Sequence, residues 1–338
     1  EKDILKDLLV EYEDLFMKPG ATLPGTDLVY HRIDTGGATP IKQRARRVPL
    51  HQKAELEAEL QKMIDEKILA PGCGSWSSPL VLVRKKDGSL RICVCYKKLN
   101  DVTKKDAYPI PRIDDTLDSL SGSVYFSTLD LHSGFYQVHV HPDDQEKTAI
   151  ATHLGLFNFL RMPMGLCNSP STFERLMEKV LHGLQWRQCL LYLDDLIVFS
   201  TSFEEHVDRL KKVFDRLRAA CLRMKAKKCS LFQPSVEYLG HHVSQEGVAT
   251  SDSKIEKVRD WPTPCSQTEV RQFLGLSSYY RRFVKGYADI AKPLHRLTEK
   301  GRIFTWTKEC QDAFDRLKGA LISAPVLAYP DPSLPFIL

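Results

Sequence analysis

Two adjacent aspartates, Asp194 and Asp195, interrupt the apolar run LLYLDDLIVFS at 190–200. Burying a lone carboxylate is costly or forces it to take up a proton. Neighbouring strand residues point to opposite faces, so this pair cannot enter one core from a straight strand. A tight turn joining LLYL to LIVFS, with the acids at its tip, removes the conflict, and Asp suits turns. A third acid, Asp130, lies near the end of another apolar run, VYFSTLDL. If that strand and the hairpin share a sheet, three carboxylates converge, and their repulsion calls for a cation. Mg²⁺ favours a few carboxylates, water and substrate phosphates, and two such ions suit nucleotidyl transfer. The plain alternative is a hairpin turn with solvated acids.

The elements that must position these acids are readable in outline. QKAELEAELQKMIDEKIL places Leu56, Leu60, Met63 and Ile64 at helical spacing and stops before the turn-rich APGCGSWSSP. PLVLVRKKDGSLRICVCY reads as two strands joined at Asp87-Gly88. A short helix is expected near IDDTLDSL, and YFSTLDL is a strand ending at Asp130. Ser171 with Glu174 reads as a capping box opening a helix, and Ser202 with Glu205 caps another, with Val207, Leu210, Phe214 and Leu217 on one face. VEYLGHHVS reads as a further strand. From Ser251 onward the pattern turns helical: SKIEKVRDW, then TEVRQFLGLSSYYRRFV capped by Ser266 and Glu269, then TKECQDAFDRLKGALI. Residues 20–50, rich in Gly, Pro and Thr and then basic, read as a linker or arm.

The 338 residues suggest two or three units around separate cores. No apolar run approaches the ~20 residues of a membrane span, and no membrane partner is expected. The net charge of +5 permits a nucleic-acid partner without establishing one. Nine scattered cysteines without a C-x-x-C pair point to reduced thiols rather than a zinc ribbon. The chain lacks an initiator Met and ends in the strand-like LPFIL, so it is expected to be a piece of a longer polypeptide.

The order FSTLDLHSGFYQV, RMPMGLCNSPSTFERLM, LLYLDDLIVFS, KKCSLF and VEYLGHHVS resembles that of reverse transcriptases. With DAYPIPRIDD it is closer still to the gypsy-type polymerases of LTR retrotransposons. The resemblance runs from about residue 28 to the last residue. It implies an α+β right-hand polymerase fold of fingers, palm with an antiparallel sheet, and thumb, followed by a helical connection. The expected divisions are an N-terminal extension (1–40), fingers and palm (41–248), a helical thumb (249–300), and a connection with the first strand of a truncated RNase H-like domain (301–338). The resemblance also implies RNA-directed and DNA-directed DNA synthesis. The partners implied are RNA and DNA templates, a DNA or tRNA primer and dNTPs, in a cytoplasmic virus-like particle. RNase H and integrase would follow in the parent polyprotein, and no RNase H activity is expected of this segment.

Roles carry over residue by residue. Asp130 and Asp194 would ligate two Mg²⁺ ions, which Mn²⁺ can replace, with Asp195 as third acid and the Leu131 carbonyl as a further ligand. Phe135, five residues after Asp130, would sit under the sugar and exclude a 2′-hydroxyl. Lys85 and Arg91, flanking the Asp87-Gly88 turn with Lys86, would hold the triphosphate. The loop with Pro163, Met164 and Gly165 would face the incoming base. Either Lys227 or Lys228 would approach the pyrophosphate, and Lys228 would belong to the dNTP site. Tyr192, and the hairpin at Leu239 and Gly240, would grip the primer end. The stretch 279–302 holds seven positive and two negative residues. There Arg281 and Arg282, with Tyr279 and Tyr280 interleaved, would meet the phosphate backbone. The bland alternatives are a core aromatic at Phe135 and solvated basic tips and faces elsewhere.

One stretch departs from the family. Val94-Cys95-Tyr96-Lys97 stands where Val-Asp-Tyr-Arg is usual, and Cys cannot accept a charge-assisted hydrogen bond as a carboxylate does. Cys95 puts template grip in doubt, not the metal chemistry. It motivates a second reading, a catalytically impaired nucleic-acid-binding remnant. A third, a hydrolase with paired acids, fits the loops poorly.

Overall fold

The computed structural model describes residues 2–18, 20–84, 88 and 90–330. They form two compact units, residues 1–112 with 127–231 and residues 113–126 with 232–338. Among the described residues no helix is long and apolar enough to cross a membrane.

The described residues of the first unit form a five-stranded, a four-stranded and a two-stranded sheet. The helix Leu50–Asp65 turns Leu56, Leu60 and Met63 inward, as its spacing predicts. They pack with Ile68, Leu69, Leu80, Leu90, Ile150 and Phe159 over a five-stranded sheet. The hairpin of Ser78–Arg84 and Leu90–Val94 forms one edge of that sheet, and Arg84 pairs with Leu90. The two strands are joined across residues 85–89, which include Asp87-Gly88. Lys85, Lys86 and Asp87 lie outside the described residues.

The second sheet carries the acids, in the strand order Ser230–Gln233, Tyr125–Asp130, Asp195–Ser200, Cys189–Tyr192. Helix Phe203–Ala219 packs on it, capped by Ser202 Oγ, which accepts from the Glu205 amide at 3.2 Å as expected. His206 on this helix is fully buried between Ser127 Oγ at Nε2 (2.7 Å) and Ser200 Oγ at Nδ1 (2.8 Å), tying helix to sheet.

Burial pushes the His206 and His31 imidazoles down to about 4. These folded values lie below the ordinary ~6.5 of an unfolded histidine. Between those values the unfolded chain binds protons that the folded chain does not, so the histidines' contribution to stability falls as pH drops through that window. Each histidine accounts for at most about 3 kcal/mol of the loss. Urea unfolding at pH 7 and pH 4.5 should show a smaller acid loss in His206→Asn than in the parent chain.

Two sequence expectations change here. Residues 26–31, read as linker, form a strand pairing in parallel with Val138–Val140. Alternation of apolar and polar residues is too brief there to stand out from its Gly- and Pro-rich surroundings. Helix Ser169–Val180 begins two residues before Ser171, so Ser171 and Glu174 form no capping box. Pro170 in the first turn, with its fixed φ, suits that earlier start.

In the second unit VEYLGHHVS is not one strand but a hairpin. Ser235–Tyr238 pairs with His241–Ser244, and Leu239 and Gly240 turn the chain at φ +47° and +71°. Gly247–Thr250 completes this sheet, and helices dominate from Asp252. Ser266 caps Gln267–Tyr279 as expected. Helix Tyr287–Leu297 was hidden from the sequence by its internal Pro293, a residue that reads as a breaker. Phe273 and Phe314, with ring centroids 4.6 Å apart, anchor this helical core.

Candidate active site

The hairpin of Cys189–Tyr192 and Asp195–Ser200 pairs Asp195 with Tyr192, leaving Leu193 and Asp194 as a two-residue turn. Leu190, Leu191, Leu196, Ile197 and Val198 are buried and hold the arms in the core. Asp194 thus sits at the tip, and Asp195 opens the second strand. Leu193 has φ +55°, a conformation that a branched side chain adopts at a cost on the order of 1–3 kcal/mol.

The neighbouring strand delivers Asp130 at its end. Its carbonyl accepts from the Lys225 amide at 2.9 Å. Its own amide points at Cys229 Sγ at 3.5 Å. The carboxylate pairs with Lys228 Nζ at 2.9 Å. Lys228 is therefore the lysine of the Lys227-Lys228 pair that faces the acids.

Asp194 and Asp195 both have accessible surface, yet the protein crowds them. That crowding, then the negative charges of Asp195 and Asp130, push Asp194 up to about 6, with Lys228 opposing. Crowding and Asp130 likewise raise Asp195. The three acids share one electrostatic field, which Lys228 opposes at Asp194 and Asp195. Among the described residues no three His, Cys, Asp or Glu side chains close into a cage for an ion. Hard carboxylate oxygens in an open arrangement fit Mg²⁺, which keeps water and takes substrate phosphates as its remaining ligands.

A cleft of about 720 Å³ opens in front of this group. Arg91, Asp130, Leu131, Phe135, Met164, Gly165, Asp194 and Lys228 all line it. Sequence reasoning named each of them, from segments far apart in the chain. Phe135 meets Phe173 edge-on with centroids 5.4 Å apart, and Phe173 is fully buried, so the Phe135 ring has a fixed backing. Gly165 has φ +94°, and a Cβ there would stand 3.4 Å from the Val94 carbonyl. Asn100 Nδ2 donates to the Gly165 carbonyl at 2.8 Å and fixes the loop. The Arg91 guanidinium meets Met164 Sδ. Tyr192 and Asp195 are not among the lining residues, and Lys85 lies outside the described residues. Cys93 faces the cleft, whereas Cys95 falls past the strand end, where its amide donates to the Pro79 carbonyl at 3.0 Å.

The other unit holds the remaining named residues. The turn carbonyls of Leu239 and Gly240 accept from Tyr279 Oη and Tyr280 Oη, each at 2.6 Å. The two tyrosines are thus committed to fixing this turn. Arg282 pairs with Asp114 (3.1 Å) and Asp118 (3.5 Å), while Arg281 is exposed.

Sequence reasoning missed one residue at the Leu193-Asp194 turn. Glu174 is fully buried, and its Oε2 accepts from the Leu193 amide at 3.0 Å. Burial pushes its carboxyl up to about 7. A carboxylate placed among the helix's apolar positions, beside Phe173 and one turn from Met177, was the available signal, and the capping-box pattern absorbed it.

The reverse transcriptase (RNA-dependent DNA polymerase) family matches residues 83–243. The RNase H-like domain found in reverse transcriptase matches residues 306–338. The chain is 38% identical to the retrovirus-related Pol polyprotein from transposon 297 of Drosophila melanogaster, over 99% of this chain and 32% of that protein. It is 32% identical to the corresponding polyprotein from transposon gypsy of the same organism, over 100% of this chain and 34% of the relative. The chain therefore spans about a third of the length of these relatives. Among solved structures, the foamy viral protease-reverse transcriptase in complex with RNA/DNA hybrid aligns over 97% of this chain and 44% of its own, with TM-score 0.87 and 26% identity. The same viral protein in complex with dsDNA aligns over 99% and 70%, with TM-score 0.89 and 26% identity.

Proposed function

The chain belongs to the reverse transcriptases of gypsy-type Pol polyproteins and shares their α+β polymerase fold, and from that premise we propose that it is an RNA-directed DNA polymerase. It would add dNTPs to a primer 3′-hydroxyl on an RNA or DNA template. The observation that carries this reading is the convergence on one cleft of eight residues from separate motifs, with Asp130 and Asp194 at its wall.

Asp130 and Asp194 would hold two divalent ions, with Asp195 adding negative charge. When bound, these ions lower the pKa of the primer hydroxyl and offset charge on the departing pyrophosphate. Lys228, paired with Asp130, would meet the leaving phosphates beside the acids and give them a proton. Arg91 supplies a guanidinium for triphosphate oxygens. Phe135 offers an aromatic floor for the sugar, and Gly165 lets backbone approach the base without a side chain between. In the second unit, the turn at Leu239 and Gly240 and the exposed Arg281 suit the primer and the phosphate backbone. The complexes of the foamy viral enzyme with RNA/DNA hybrid and dsDNA support nucleic acid as the partner class.

The test uses a labelled DNA primer annealed to RNA. With Mg²⁺ and four dNTPs the purified chain should extend it to the template end. Tight binding in a gel shift with no extension would replace this reading with the impaired remnant.

A further inference from the structure

We propose that Glu174 is the positioning residue of the catalytic turn: its buried carboxyl oxygen holds the Leu193 amide and so fixes where Asp194 stands. This rests on the polymerase reading and adds to it a residue from outside the acid group. Glu174 lies on helix Ser169–Val180, behind the hairpin, and has no surface exposed to solvent. Its Oε2 accepts from Leu193 N at 3.0 Å. Its Oε1 is buried with no hydrogen-bond partner. A carboxyl buried with one hydrogen bond is a poor stabiliser, and an apolar side chain of similar volume would serve packing better. Its placement is therefore better explained by what the single bond does.

That bond reaches the one residue that needs holding. Leu193 sits at φ +55° without being glycine, immediately before Asp194. Strained backbone persists where its surroundings over-determine it. The strands fix both arms of the hairpin, but the ladder ends at the Asp195–Tyr192 pair, so the two turn residues lie beyond it. The Glu174 contact supplies the missing constraint on the turn amide. A misplacement of about 1 Å in a catalytic group costs roughly 100-fold in rate.

The experiment compares Glu174→Met, which keeps volume and loses the acceptor, with Glu174→Gln, which keeps an acceptor oxygen. Steady-state dNTP addition should show kcat down roughly 10- to 100-fold in the Met variant with dNTP KM within about twofold. The Gln variant should keep most of kcat. Amide exchange of Leu193 is read in parallel and needs no activity. It should be protected in the parent chain and at least about tenfold faster in the Met variant. Parent-like kcat in the Met variant, an equal fall in both variants, or an unprotected Leu193 amide in the parent chain would each overturn the proposal. If the parent chain extends no primer, the polymerase reading fails while the exchange data still decide the latch. If the Met variant does not fold, Leu193 protection in the parent and Gln chains decides it.

Discussion

Asp194→Asn should lower dNTP addition by roughly 1,000-fold, about 4 kcal/mol in the barrier, while leaving the fold intact. The substitution keeps size and shape and removes the charge that an ion would bind. Stability should move the opposite way from activity. In the folded, metal-free chain Asp194 is pushed up to about 6 by crowding and by Asp195 and Asp130. A carboxyl whose folded value is raised above its ordinary ~3.9 is disfavoured in its charged form, so ionisation at neutral pH works against folding. Removing that charge should therefore leave the melting temperature in EDTA unchanged or higher. A variant that lost activity and melting temperature together would contradict the role given to Asp194. The same shift sets a pH dependence. Protons and Mg²⁺ compete for the carboxylate, so the Mg²⁺ needed for half-maximal rate should rise as pH falls through about 6 and level off above it.

Phe135→Val should open the chain to ribonucleotides. The ring lines the cleft and is backed edge-on by the fully buried Phe173, so it cannot retreat easily from a bulkier sugar. Discrimination would then be by clash, because a 2′-hydroxyl would need the space that the ring fills. Shortening the side chain to Val should raise the kcat/KM for an rNTP roughly 10- to 100-fold relative to the matching dNTP. Addition of the dNTP itself should change by only a few-fold. Competition between dCTP and CTP opposite a template G measures the ratio. An unchanged ratio would show that Phe135 is the core aromatic of the plain alternative and that the sugar is read elsewhere.

Much of the site was legible because its chemistry is concentrated in short, ordered motifs. The acids at 130, 194 and 195 announce themselves by interrupting apolar runs, which is costly without a purpose. The hairpin follows from the same conflict, since a straight strand cannot point both acids one way. Periodicity located the helix at 50–65 because three of its apolar positions share one buried face. It failed at Tyr287–Leu297, where Pro293 is accommodated despite reading as a breaker. Glu174 was mistaken for a cap because Ser-x-x-Glu is a local pattern, whereas its true partner, Leu193, is nineteen residues away in sequence. Tyr279 and Tyr280 show the same limit. Their hydroxyls are committed to the carbonyls of Leu239 and Gly240, a tertiary pairing forty residues apart. What the sequence withheld, in each case, is which long-range partner a polar side chain takes.

Single-nucleotide addition on a primed RNA template tests the central claim most directly. Four templates differing only in the first unpaired base are each offered the four dNTPs singly, with Mg²⁺ present. The expected result is addition of the complementary nucleotide alone on every template, lost with EDTA and lost in Asp194→Asn. Failure of the parent chain to add any nucleotide, or addition that ignores the templating base, would contradict it.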